Sequence, residues 1–254
     1  MFDVIKTRLA QGYRTARYPK EPPTLPDRFM GLPVLADERC TSSCTGECAR
    51  ACPVQAISVH PGPLTIDVGK CIFCGKCKQA CPDGGISFSG DHRLGTTDRR
   101  SLLISSANPR PVFRPLDKAR LRLFKYSFKL RQVSAAGCNA CEADINVLNT
   151  LAFDLSRFGI QFVASPRHAD GVLITGPVSK NMALALKKTF DATPAPKVVI
   201  AVGTCAISGG VFANHEQVHR GVQELLPVDL YIPGCPPHPY TILDGLLRLL
   251  GRIR

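Results

Sequence analysis

No apolar run in this 254-residue sequence is long enough to cross a bilayer. The longest, such as Val198–Val202, fall far short of the roughly twenty residues that a spanning helix needs. The N-terminal stretch MFDVIKTRLAQGYRTARYP has neither a continuous apolar core nor a small-residue cleavage site, so no secretory signal peptide is expected. The chain is therefore expected in the cytoplasm. Acidic residues are scarce, 20 against 32 Lys and Arg, for a net charge of +12. Basicity of that size often marks a nucleic-acid partner. Here it has no helix-turn-helix, zinc-finger or aromatic-stacking signature beside it, and nucleic acid is disfavoured. Cysteine is the residue in excess, with twelve. Disulfides do not persist in a reducing compartment, so that number points to metal.

Composition divides the chain into four regions. Residues 1–35 begin with Phe2, Ile5, Leu9 and Tyr13 at helical spacing among Lys6, Arg8, Arg14 and Arg17, which predicts a basic amphipathic helix to about residue 18. A proline-punctuated extended connector follows. Residues 36–90 are cysteine-rich and internally repeated: Cys48, Cys52, Pro53, Ile57 and Val59 recur 29 residues later as Cys77, Cys81, Pro82, Ile86 and Phe88. Residues 91–125 are polar and basic and read as a linker. Between 99 and 131 stand ten Lys or Arg against the single acid Asp117, a solvated face or a docking surface for acidic proteins or phospholipid heads.

From residue 126 to 254 strand and helix patterns alternate. The strand candidates are 128–133, 160–164, 171–175, 197–202 and 228–232, and the helix candidates are 142–158, 179–190, 216–226 and 240–250. This alternation predicts an α/β fold of the flavodoxin-like kind, a doubly wound parallel sheet, behind a small α+β ferredoxin-like module.

The run Cys71-x2-Cys74-x2-Cys77-x3-Cys81-Pro82 has bacterial ferredoxin spacing. Three thiolates on a tight loop grip three corners of a cubane, and the fourth, on the next helical turn, points to a second cluster. A lone C-x2-C would also suit zinc, but four cysteines and a trailing proline favour the cubane. A second copy, Cys40-x3-Cys44-x3-Cys48-x3-Cys52-Pro53, has longer first gaps, leaving a distorted or missing cluster as the alternative. The expected sets are Cys40, Cys44, Cys48 and Cys81 on one 4Fe-4S cluster, and Cys71, Cys74, Cys77 and Cys52 on another.

The other four cysteines, Cys138, Cys141, Cys205 and Cys235, each follow a predicted strand, where open parallel sheets place their ligand sites. Together they would hold a third 4Fe-4S cluster; taken singly, each could be a buried structural thiol. Three such clusters, each carrying roughly −2 with its thiolates, would cut the net charge to about +6.

The segments GCNACEADI, SPRHADGVLITG, GTCAISGGVF and YIPGCPPHP resemble the small subunit of membrane-bound, energy-converting NiFe hydrogenases of the formate hydrogenlyase type. They are similar, more distantly, to the complex I component that carries the quinone-proximal cluster. MFDVIKTRL and the cysteine repeat resemble the polyferredoxin subunit of the same hydrogenases, so the chain reads as a fusion of two subunits. The resemblance implies that the cluster on Cys138, Cys141, Cys205 and Cys235 is the proximal one, next to a nickel-iron centre in a large-subunit partner. It implies no catalytic residue on this chain, membrane-arm subunits as further partners, and a donor such as formate dehydrogenase or ferredoxin. The expected position is peripheral, on the inner face of the cell membrane. The complex I component has adjacent cysteines at its first ligand site, whereas two residues separate Cys138 from Cys141, as in hydrogenases. A nickel-free complex-I-like module and a stand-alone ferredoxin-type carrier are the alternatives. Glu142 and His238 beside ligands are expected as supporting or interface residues, and His168 as structural.

Overall fold

The computed structural model describes residues 2–36, 46–59 and 64–253. Helix α1 (Phe2–Gln11) is shorter than its apolar periodicity predicts and exposed along its whole length. Gly12 ends it by turning left-handed, at φ 63°, with its N–H on the Arg8 carbonyl.

The cysteine repeat folds as β1 (Pro33–Leu35), α2 (Glu47–Arg50), β2 (Ile57–Ser58), β3 (Thr65–Asp67), α3 (Lys76–Ala80) and β4 (Ile86–Phe88). Strand β1 pairs antiparallel with β4, and β2 with β3. The 29-residue period is present in the backbone: α2 and α3 both start after a left-handed glycine, Gly46 and Gly75.

Segment 91–125, read as a linker, is built into the protein. It holds a 3-10 turn (Arg99–Leu102), β5 (Leu103–Ile104), which adds to β3, and α4 (Lys118–Phe124). Leu94, Leu102, Ile104, Leu116 and Phe124 are buried, and Thr96 bridges to Tyr231. Basic residues mask this apolar spacing in the sequence.

The C-terminal part runs β6 (Phe128–Ser134), α5 (Ala140–Val147), β7 (Ile160–Phe162), β8 (Gly171–Thr175), α6 (Lys180–Ala192), β9 (Val198–Val202), α7 (Thr204–Ser208), β10 (Leu230–Ile232) and α8 (Pro239–Leu249). All five strands are parallel, in the order β7-β6-β8-β9-β10. This is the flavodoxin-like order 2-1-3-4-5, with its switch point between β6 and β8. Leu173, Ile200 and Leu230 pack on one face with α8; Val172, Ile174 and Val199 pack on the other, in a core that continues into Ile66, Leu102 and Ile104 of the cysteine module. The two modules therefore share apolar packing.

Two predicted helices differ. The expected helix 142–158 stops at Val147, because the chain doubles back: Leu155 N–H bonds to the Leu148 carbonyl, and Asp154 turns left-handed at φ 46°. The expected helix 216–226 is a single 3-10 turn, Val222–Glu224. There Gly221 takes φ 108°, outside helical geometry, where a β-carbon would stand 2.5 Å from the Ile207 carbonyl oxygen.

Candidate metal centres

None of the ten described cysteines is in a disulfide, and Cys40 and Cys44 lie outside the described residues. Two groups of thiols form. Cys52, Cys71, Cys74 and Cys77 ring a small cavity closed by Val54, Ile57, Ile66, Ile72 and Phe88. Burial pushes the Cys71 thiol up to about 12 and Cys77 to about 11, and each also feels Cys52 and Cys74. Buried Cys48 lies near Cys77, one residue into α2.

In the second group, Cys138 and Cys141 follow β6, Cys205 follows β9 and Cys235 follows β10. Burial raises Cys141, Cys205 (to about 11) and Cys235; Glu142, Cys205, Cys235 and Cys138 add to the rise at Cys141, Cys235 and Cys138 to that at Cys205, and Cys138 to that at Cys235. Cys138 and Cys235 remain exposed on one side.

Local backbone explains how the thiols are presented. Cys74-Gly75-Lys76-Cys77 and Cys138-Asn139-Ala140-Cys141 share one design: the residue after the first cysteine is left-handed (Gly75 φ 73°, Asn139 φ 70°), and the next starts a helix. Backbone donors face the sulfurs, with Ala56 N–H 3.3 Å from Cys52 Sγ, Gly85 N–H 3.2 Å from Cys81 Sγ and Phe73 N–H 3.3 Å from Cys71 Sγ. The first two are again one repeat apart. Gly203, at φ 88°, lets Cys141 lie against the backbone: a β-carbon there would stand 2.5 Å from Cys141 Sγ.

Crowded buried thiols ionise with difficulty, and a cationic metal core reverses that cost. Among the described residues no three His, Cys, Asp or Glu side chains gather closely enough for a single ion. A cubane spreads its thiolates over four corners, and N–H groups aimed at sulfur are the contacts such clusters take. Both four-thiol groups fit that body.

Several supporting residues had no signal in the sequence. Asp67 takes Arg99 in a bidentate pair at 2.9 and 2.7 Å, its Oδ1 accepts the Gly69 N–H, and its carbonyl accepts Cys71 N–H. The pair thus holds the turn that delivers Cys71. Both side chains are mostly buried, so Arg99→Ala should cost about 2–3 kcal/mol, and apparent Tm should fall by roughly 5–10 °C. Calorimetry checks this; a change under about 1 °C would assign the turn to other contacts.

Glu142 Oε1 accepts hydrogen bonds from Ser134 and Thr175, both at 2.6 Å. Burial alone would raise this carboxyl, but the two hydroxyls hold it below the usual range. It braces the Cys138 loop against the ends of β6 and β8. His238 caps α8, with Nδ1 accepting the Tyr240 N–H, stacks on Tyr240 and lines a cleft of about 480 Å³ with Phe29, Asp144 and Cys235. Burial keeps its ring below the usual histidine value. His168 is exposed on a 3-10 turn.

Residues 138–249 match the family "NADH ubiquinone oxidoreductase, 20 Kd subunit", and residues 32–88 match a "4Fe-4S dicluster domain". The probable membrane-bound hydrogenase subunit mbhJ of Pyrococcus furiosus is 40% identical over 121 residues, 48% of this chain and 72% of that protein. An NADH-quinone oxidoreductase subunit of Citrifermentans bemidjiense is 47% identical over 117 residues, 46% of this chain and 68% of its own. The chain belongs to this 20 kDa oxidoreductase subunit family. Formate hydrogenlyase subunit 7 of Escherichia coli is also similar, 42% identical over 131 residues, 52% of this chain and 51% of that one. As a member of the family the chain is an iron-sulfur, electron-transferring subunit of a hydrogenase or complex-I-like assembly, joined here to a dicluster ferredoxin module.

Proposed function

We propose that this chain carries three 4Fe-4S clusters and relays single electrons within a membrane-associated NiFe hydrogenase, between a donor such as formate dehydrogenase or ferredoxin and a catalytic large subunit. The observation that carries this reading is the pair of four-thiol groups on one shared core, one in each module. An iron-sulfur cluster supplies reversible one-electron chemistry. Cys40, Cys44, Cys48 and Cys81 hold the first cluster, Cys52, Cys71, Cys74 and Cys77 the second, and Cys138, Cys141, Cys205 and Cys235 the third. Ile57, Ile66 and Phe88 keep water from the second site, where the Ala56 and Phe73 N–H groups stabilise charge on Cys52 and Cys71, and the Gly85 N–H does the same for Cys81 of the first. The exposed edge at Cys138 and Cys235, with the cleft at His238, is where the large subunit docks.

The CxxC spacing of Cys138 and Cys141 favours hydrogenase, and the similarity to the NADH-quinone oxidoreductase relative keeps a nickel-free, complex-I-like reading as the second. Anaerobic purification of the complex from its source decides between them. About twelve irons on this chain, with nickel and hydrogen turnover in the large subunit, are expected for three cubanes. Iron without nickel or hydrogen turnover would give the second reading its place.

No described helix is long and apolar enough to cross a membrane. Helix α1 instead exposes Phe2 (77%), Leu9 (78%) and, just beyond it, Tyr13 (79%) between basic residues, the pattern of a helix lying on a membrane arm or bilayer surface. Deleting residues 2–11 is expected to leave iron content unchanged and to move the complex from the membrane pellet towards the supernatant. An unchanged pellet fraction would dismiss the anchor.

A further inference from the structure

Helix α7, which carries Cys205, ends against the ferredoxin module. The Thr204 hydroxyl lies 2.8 Å from the carbonyl oxygen of Cys71 and 3.0 Å from that of Gly234. The hydroxyl has one proton to give, and the Cys71 carbonyl is the nearer of its two acceptors, while the Thr204 N–H separately ties Gly234 at 2.8 Å. Thr204 is 1% exposed, so no water competes for that bond. One turn later the Ser208 hydroxyl, 3.0 Å from the Gly69 carbonyl, makes a second tie to the same loop.

One residue therefore joins three cysteine loops. Thr204 precedes Cys205 in the chain, bonds to the residue before Cys235, and donates to Cys71 itself. From the Cys71 loop to Cys205 a route runs through covalent bonds and one short hydrogen bond, with no van der Waals gap. Electron tunnelling decays far less along such a route than across a through-space jump.

We propose that Thr204 is the positioning and coupling residue between the two modules, fixing the gap from the Cys52, Cys71, Cys74 and Cys77 site to the C-terminal site and bridging it. One electron leaves the Cys52, Cys71, Cys74 and Cys77 site as one arrives at the C-terminal site, and Thr204 keeps its proton throughout. The inference rests on the reading of both thiol groups as cluster sites.

The test uses the full chain in its complex, with Thr204→Val, Thr204→Ala and Thr204→Ser. Val and Ala delete the hydroxyl but keep the N–H bond to Gly234; Ser keeps both. Iron content and cluster midpoint potentials are measured first. Transfer between the clusters is then followed by flash photoreduction with freeze-quench electron paramagnetic resonance, which also reads their magnetic interaction. Val or Ala, with full iron and unchanged potentials, should slow transfer several-fold and weaken the magnetic interaction, and Ser should match the parent. A parent-like rate in an iron-replete Val or Ala chain would overturn the inference alone. So would iron loss in both, which would make Thr204 a holder of the site instead. A parent chain without clusters at these sites would overturn the underlying reading as well.

Discussion

Replacing Gly203 with alanine is expected to strip the C-terminal cluster from the chain, about a third of its iron if three cubanes are present. The reason is local and steric. At φ 88° an L-residue is strained, and its β-carbon would stand 2.5 Å from Cys141 Sγ, far inside contact distance. The backbone cannot retreat, since Gly203 N–H is bonded to the Ile232 carbonyl and the next N–H to Gly234. Cys141 must then swing away from Cys138, Cys205 and Cys235. Strain in the left-handed region adds about 1–3 kcal/mol of destabilisation. Iron analysis with paramagnetic resonance should show the C-terminal signal gone and the ferredoxin-type signals kept. Gly90→Ala, where a β-carbon meets nothing within 4 Å, is the control and should retain all its iron. Full iron in Gly203→Ala would mean that Cys141 is not held as the geometry requires.

The parts of this protein written in local pattern were legible from sequence. Strands β8, β9 and β10 are short, nearly continuous apolar runs and β6 and β7 alternate apolar with polar residues, and all five lie where the strand–helix alternation placed them. The placing of Cys138, Cys205 and Cys235 after strands follows from the same alternation, because a parallel sheet brings those strand ends to one edge. What escaped depends on distant partners. Segment 91–125 reads as solvated because ten cations crowd residues 99–131, yet Leu102 and Ile104 are buried against β3 and Arg99 is paired with Asp67, 32 residues away. Gly221, at φ 108°, interrupts the helix that its neighbours' periodicity supported, at a place where the α7 backbone leaves no room for a β-carbon. Thr204 stands 133 residues from Cys71, and no spacing rule could join them.

That junction orders the sites, and the order has a large consequence. The helix bearing Cys205 is tied to Gly69 and Cys71, so the group of Cys52, Cys71, Cys74 and Cys77 faces the C-terminal site. In the proposed assignment the site that takes Cys81, the residue capping the C-terminus of α3, is then the distal one. A small artificial dye that exchanges electrons with the C-terminal site bypasses a distal lesion and cannot bypass a lesion at that site. In Cys81→Ala, turnover linked to the natural donor should fall to background while dye-linked turnover stays near the parent value. In Cys235→Ala both should be lost. Paired assays on the same anaerobic preparation, with iron measured on each, separate the cases. Loss of dye-linked turnover in an otherwise iron-replete Cys81→Ala chain would mean that the Cys81 site lies between the dye's entry point and the catalytic centre, and the proposed sequence of sites would fall.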